Sequence, residues 1–469
     1  MLSDVHLGSD IVPHLRPWAT TSWLLKEAEI DAQLVSLLDH YRGERDPVRP
    51  WRLVIAGDFL DLVGVSITAN ADEMRTPPTE EEHLHGLGSA ADHVVHKMRA
   101  IATRHTTVFQ ALMRFLADGN SIVIVRGNHD VELHWRAAQR ALIDAIVDHA
   151  PEAERDTLAR RIEICPWFFA VDGLLYVEHG HEFDAMCSYG DPLMPTCNRD
   201  SRRIRSTPFS VLLRNVARPT RGLSSASYGY VGMSAYITLL LNLGLRGSAH
   251  IAVRYSRASY RLIRECFTQA VDQGLGRMHT ARARLRHFAQ RRGVSEEHLG
   301  LLRALYVRPA LQSLSYVMRS LYLDRILSMV LACAFVALAV LIGHYQGMLV
   351  GALSSIPAAM LGLYTCVGSG TNTVPTARMQ SGAAHIAKLF RARWVIMGHT
   401  HDPEVTEVAE GSRYVNLGSW GEDDPPDERT AVHKSSCTYL VIRHQDGEYQ
   451  GELLHWDTTR GAEPYKRAS

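Results

Sequence analysis

The sequence predicts a layered α/β fold, on three observations. Short apolar runs rich in β-branched residues alternate with stretches of helical periodicity. Each run ends directly in a polar turn containing Gly or His. Those turns collect carboxylates, imidazoles and an amide, and in layered α/β folds ligands sit beyond the strand ends.

Residues 22–41 space their apolar side chains as a helix does, and the first strand run, Leu53–Ala56, follows. Helical patterns at 89–118 and 132–149 flank the second run, Ile122–Val125. Leu174–Val177 is the third; a helical pattern at 382–391 leads into the fourth, Trp394–Met397. Ahead of the first polar turn only Met1 and Leu2 are left for a strand. A central strand has about five or six residues, so the native chain is expected to start further upstream.

With 469 residues the chain has room for two to four domains at roughly 100–200 residues each. Hydrophobic residues at 46% and charged residues at 21% exclude a disordered chain. Seven cysteines without a C-x-x-C pair give no disulfide or zinc-ribbon framework and suit a reducing compartment. The first thirty residues show no basic segment followed by an apolar run, so no cleavable leader is expected. Fifty basic residues balance fifty acidic ones, but unevenly along the chain. Residues 199–325 hold 22 arginines, no lysine and six acids, a net +16, and the remainder carries −16.

The strand-end turns carry the chemistry. In order they are Ser3-Asp4-Val5-His6, Gly57-Asp58-Phe59-Leu60-Asp61, Gly127-Asn128-His129-Asp130, Glu178-His179-Gly180-His181 and Gly398-His399-Thr400-His401. Mixed oxygen and nitrogen donors without thiolates suit Mn²⁺, Fe²⁺ or Zn²⁺ in a reactive rather than a structural site. One such turn alone arises readily by chance; five in succession after apolar runs do not.

The order D-x-H, G-D-x-x-D, G-N-H-D, H-G, G-H-x-H resembles the calcineurin-like metallophosphoesterase superfamily, over about residues 1–198 and 378–456. The runs His179–Asp184 and Tyr414–Trp420 resemble the branch related to UDP-2,3-diacylglucosamine pyrophosphatase, although that enzyme typically carries Arg where this chain has His129. The resemblance implies a four-layer metallophosphoesterase-type β-sandwich flanked by helices, interrupted by an Arg-rich helical insert. It also implies two divalent ions, Mn²⁺ foremost with Fe²⁺ or Zn²⁺ as alternatives. Asp4, His6 and His401 would hold one ion, Asn128, His179 and His399 the other, and Asp58 would bridge them. His129 would assist the leaving group, with Asp61 orienting it. His181 is an alternative to His179; Asp130 and Asp184 read as loop anchors. His83, His85, His93, His96 and His105 read as packing or solvated residues, unless the 64–90 loop lines a substrate cleft.

Residues 326–377 contain no Asp, Glu, Lys or Arg. Ile326–Gly343 and Met348–Val367 would reach about 27 and 30 Å as helices, and the reading is a transmembrane hairpin. The motifs on either side must converge, so the crossings between them must be even in number; 222–245 is then an interfacial or buried helix. Arg319, Arg325, Arg378 and Lys388 outside the hairpin predict a multi-pass membrane protein with a cytoplasmic catalytic face. The basic insert suits either anionic lipid or pairing with the acidic remainder.

These readings divide the chain into 1–198 and 378–460, the two parts of the catalytic domain, 199–325, the insert, and 326–367, the hairpin. The expected activity is in-line hydrolysis of a phosphodiester or pyrophosphate, on a lipid-linked or nucleotide-linked substrate. The expected partners are the bilayer and an anionic or nucleotide-linked lipid rather than nucleic acid. The rivals are a metal-dependent nuclease and a non-catalytic membrane scaffold.

Overall fold

The computed structural model describes residues 1–11, 20–44, 46, 48–68, 74–220, 233–271, 275–321, 323–345, 375–421 and 436–466. Within them the protein is mixed α/β, with three hydrogen-bonded sheets. Strands β1 (Arg52–Ala56), β2 (Ser121–Val125) and β3 (Ile162–Cys165) pair in parallel. Strands β4 (Phe169–Val171), β5 (Leu175–Val177), β6 (Trp394–Met397), β7 (Glu404–Ala409) and β8 (Ser412–Asn416) form a second sheet in the order β4-β5-β6-β8-β7. Its three central strands are parallel and its edges antiparallel. Strands β9 (Thr438–Gln445), β10 (Glu448–Asp457) and β11 (Gly461–Pro464) are antiparallel.

Two residues at the amino terminus join the first and third sheets. Leu2 donates its N–H to Val54 O at 3.0 Å and accepts from Ala56 N at 2.8 Å. On the other side Met1 and Leu440 exchange hydrogen bonds of 2.7 and 2.8 Å. Met1 and Leu2 thus do the work of a short strand, directly before the first polar turn.

Side chains alternate across each strand, so one set meets the facing sheet and the other meets helices. Val54, Ala56, Val123 and Val125 pack against Val177, Ile396 and Val415, closing the space between the first two sheets. Leu53, Ile55, Ile122 and Ile124 face the helices Ala91–Arg104 and Thr106–Ala117. Tyr176, Val395, Met397 and Tyr414 face the helix Pro375–Phe390. Each fully buried aliphatic side chain contributes about 1.5–3 kcal/mol, which is why these runs are continuous and apolar. The helical pattern at 89–118 is two helices broken at His105, whose buried ring binds Asp31 at 2.9 Å and accepts from Gly8 N at 3.0 Å.

The described residues of 199–325 are largely helical and dock on the body. Leu262 and Cys266 of the helix Met233–Val271 pack with Val211, Leu212 and Val317. Phe288, Leu299 and Leu302 pack with Trp167 and Phe168. The charges pair as well: Arg203 binds Glu82 at 2.9 Å, Arg292 binds Glu163 at 2.8 Å, and Arg261 pairs with Glu81.

The transmembrane hairpin and the multi-pass membrane placement are overturned. Among the described residues no helix is long and apolar enough to cross a membrane. Ile326–Gly343 lies in the helix Leu323–Tyr345, whose first turn carries Asp324 and Arg325. Met348–Val367 lies outside the described residues, as do 222–232. With no span among the described residues, the flanking arginines no longer assign a cytoplasmic face.

Candidate metal centre

The five polar turns meet at one end of the sandwich because the parallel strands before them all point that way. Their backbones bend sharply. Asp4, His6, Asp58, His399 and His401 all adopt left-handed conformations, with φ of 54°, 54°, 50°, 72° and 59°. D-x-H and H-x-H therefore fold alike, each placing alternate residues in a region that costs ordinary side chains about 1–3 kcal/mol. Such strain concentrated in one cluster marks a functional site. Asp130 ties two turns together, its carboxylate accepting from Gly127 N at 2.7 Å and Phe59 N at 2.9 Å. Glycine is required at 57 and 127: a Cβ there would overlap the His179 ring and the Asp58 carboxylate.

Three overlapping groups of metal-capable donors result: Asp4–His6–His401 and Asp4–Asp58–His179, with His6–Asp58–His129 linking them. Asp4 Oδ2 is engaged by the Ser3 hydroxyl and by His399 N at 3.1 Å. Its other oxygen, Oδ1, is buried and lies 3.1 Å from His401 Nε2, 3.8 Å from His6 Nε2 and 4.0 Å from His179 Nε2. His6 and His401 face each other, Nε2 to Nε2, at 3.4 Å. Asp58 Oδ1 accepts from His129 N at 2.8 Å, which leaves Oδ2 between two rings, 3.2 Å from His179 Nε2 and 4.0 Å from His6 Nε2.

His179 tests the fit of the donor set to a cation. Its Nδ1 lies 3.0 Å from the Ala56 carbonyl, an acceptor, so Nδ1 carries a proton. Its Nε2 then faces two more oxygens, Asn128 Oδ1 at 3.0 Å and Asp58 Oδ2 at 3.2 Å. Acceptors converging on a lone pair require a cation between them, either a proton or a metal. Burial alone would lower the His179 pKa, but Asp58 and Asp4 raise it to about 9. Burial would raise Asp4 and Asp58; the surrounding histidines hold both carboxyls well below the usual range. The donor set fits divalent ions.

Beside the cluster stands a dyad. His129 packs edge-on against His6 with ring centroids 4.3 Å apart, and its Nδ1 donates to Asp61 Oδ1 at 2.7 Å. Asp61 is fully buried, and Arg218 and His129 outweigh the desolvation that would raise its pKa. Sequence reading missed Arg218. It follows the π-helical turn Leu213–Ala217, pairs with Asp61 and donates to Ser9 O at 2.7 Å. Such turns recur at functional sites, but 157 residues separate the partners and no spacing signals the pair.

Two residues stand elsewhere than their turns suggest. His399 Nε2 lies 3.2 Å from Asp184 Oδ2 and joins no group with Asp58. His181 lies in none of the metal-capable groups found among the described residues; its Nε2 is 3.6 Å from Glu182. His93 bonds to Thr76 O at 2.7 Å and accepts from Gly88 N at 3.2 Å, a packing role. Thr79, Glu81, Glu82, Gly88 and Ser89, from the 64–90 loop, line a cleft of about 210 Å³ against the insert.

Compared with known proteins, the chain matches no family model and no curated protein. The functional reading rests on the site itself.

Proposed function

We propose that this chain is a metal-dependent phosphoesterase of the calcineurin-like type, hydrolysing a phosphodiester or pyrophosphate. The observation that carries the reading is the convergence of Asp4 Oδ1, Asp58 Oδ2 and the Nε2 atoms of His6, His179 and His401, with Asp58 Oδ2 between the two groups. Asp4, His6 and His401 would hold one ion, Asn128, His179 and His399 the other, and Asp58 both. Bound there, two divalent ions offset phosphoryl charge and lower the pKa of water to near neutrality. Manganese is the first choice for this hard, thiolate-free set, with iron or zinc as alternatives.

The chain's own groups supply the rest. His129 borders the cluster and carries the proton for the departing oxygen. Asp61 fixes its ring through Nδ1, so that Nε2 is the nitrogen available to the substrate. Arg218 fixes Asp61 in turn. The substrate approaches from the side of His399 and His401, the part of the cluster that retains solvent exposure.

The test is Mn²⁺-dependent hydrolysis of bis(p-nitrophenyl) phosphate. A panel of UDP-linked lipids, phospholipid headgroups, cyclic nucleotides and single-stranded DNA follows. Cleavage of a diester or pyrophosphate that disappears with chelator supports the reading. Preferential cleavage of DNA selects the nuclease reading. A metal-loaded chain that cleaves none of them is a scaffold.

A further inference from the structure

The longest helix of the insert, Met233–Val271, carries two faces of different character. Ala258, Leu262 and Cys266 are buried and pack with Val211, Leu212 and Val317, which docks the helix. Arg246, Val253, Arg257, Tyr260, Arg264 and Phe267 lie on the opposite side, within about 80° of arc at 3.6 residues per turn. All six are exposed, Val253 by 51%, Tyr260 by 69% and Phe267 by 60%. Docking is complete without this outer face, where contact with water alone favours polar side chains. The helix has five arginines and one acid, Glu265. Among the described residues no carboxylate pairs with Arg246, Arg257 or Arg264.

A second exposed apolar face begins beside it. Val330, Leu338 and Leu341 of the helix Leu323–Tyr345 are each 55% exposed. The chain enters that helix from Leu321, whose side chain joins the same buried cluster as Leu262 and whose carbonyl accepts from the Tyr255 hydroxyl at 2.5 Å. The start of the second helix is thereby fixed to the first.

We propose that these two helices form a docking surface for an anionic phospholipid membrane, lying in its headgroup layer without crossing it. Arginine and aromatic side chains share one face, and length separates their depths. Guanidinium groups on long stems reach the lipid phosphates, while Val253, Tyr260 and Phe267 dip below them. The apolar residues recur every seven positions, about 10 Å apart, and so do Arg257 and Arg264, so every two turns present both kinds of contact. A nucleic acid would meet the same arginines but leave Val330, Leu338 and Leu341 in water; a lipid surface takes up both.

The test is cosedimentation of the full-length protein with vesicles of phosphatidylcholine, with and without phosphatidylserine, at low and high salt. The expected result is binding to the anionic vesicles that weakens with salt, and little to phosphatidylcholine alone. Each basic residue near the surface contributes about fivefold to partitioning, so Arg257→Glu with Arg264→Glu should lower it at least about twentyfold. Tyr260→Ser with Phe267→Ser should lower it at low and high salt alike. These four side chains are exposed and lie outside the catalytic machinery, so thermal unfolding and hydrolysis of bis(p-nitrophenyl) phosphate should match the wild type. Wild-type vesicle binding in both double variants would overturn the proposal, as would a wild type that binds neither vesicle. Binding of single-stranded DNA, lost in Arg257→Glu with Arg264→Glu and unaccompanied by vesicle binding, would assign the face to nucleic acid instead. Vesicle binding without hydrolysis sinks only the phosphoesterase reading, and hydrolysis without vesicle binding sinks only this surface.

Discussion

At the scale of single residues, Asp58 and Arg218 differ most in how they could be found. Asp58 sits in a motif directly after a strand, so its place in the cluster was readable from the sequence. Arg218 lies in the insert, far along the chain, and only the fold brings it to Asp61. The left-handed backbone of Asp4, His6, Asp58, His399 and His401 was likewise invisible, because nothing in D-x-H or H-x-H dictates positive φ. Motif order says which strand end a side chain comes from, not which neighbour it faces; His399 Nε2 lies 3.2 Å from Asp184 Oδ2. If Arg218 positions the dyad, Arg218→Met should lower kcat by about ten- to a hundredfold with KM little changed, as loss of an outer partner commonly does. The loss should be larger for alkyl than for p-nitrophenyl leaving groups, and Arg218→Lys should restore part of it. Equal losses on both substrates would mean that Arg218 acts only on the fold.

At the scale of elements, strands and turns were legible because continuous apolar runs followed by Gly- or His-bearing turns leave few alternatives. The break within 89–118 was not, since helical periodicity runs through His105 without interruption. The break follows from tertiary structure: the ring is buried between Asp10 and Asp31. Burial opposes its charge, as does the Gly8 N–H, which the ring accepts only when neutral, but the two carboxylates raise its pKa to about 9. The resulting stabilisation is fully present below the unfolded value near 6.5 and is lost as pH rises through about 9. Thermal unfolding of the wild type should therefore show a midpoint that drops between about pH 7 and 10. His105→Asn should start lower and fall less over that window. Parallel curves would mean that His105 is neutral in the folded protein.

At the scale of the whole molecule, the sequence separated a +16 insert from a −16 remainder but left open what the division serves. Part of the answer is internal. Arg203, Arg261 and Arg292 pair with Glu82, Glu81 and Glu163, and Arg214 donates to Gly86 O at 2.7 Å. The apolar stretch after the insert misled because length and lack of charge describe a helix well and its surroundings poorly. If the pairs hold the insert in place, Arg203→Ala combined with Arg261→Ala should speed limited proteolysis within 199–325 several-fold, leaving cleavage of the body unchanged. Exposed pairs contribute little, so the effect depends on these two being partly buried. An unchanged digestion pattern would assign the docking to apolar contacts alone.

All three scales meet in the claim that acceptors crowded around Asp58 are a place for two cations. The direct measurement is calorimetric titration of Mn²⁺ into the metal-free chain, with bis(p-nitrophenyl) phosphate hydrolysis followed in parallel. The prediction is two ions per chain, with activity rising as the second binds. Asp58→Ala should lose the second ion and at least about a hundredfold in rate. Manganese binding and hydrolysis in Asp58→Ala that match the wild type would contradict the account.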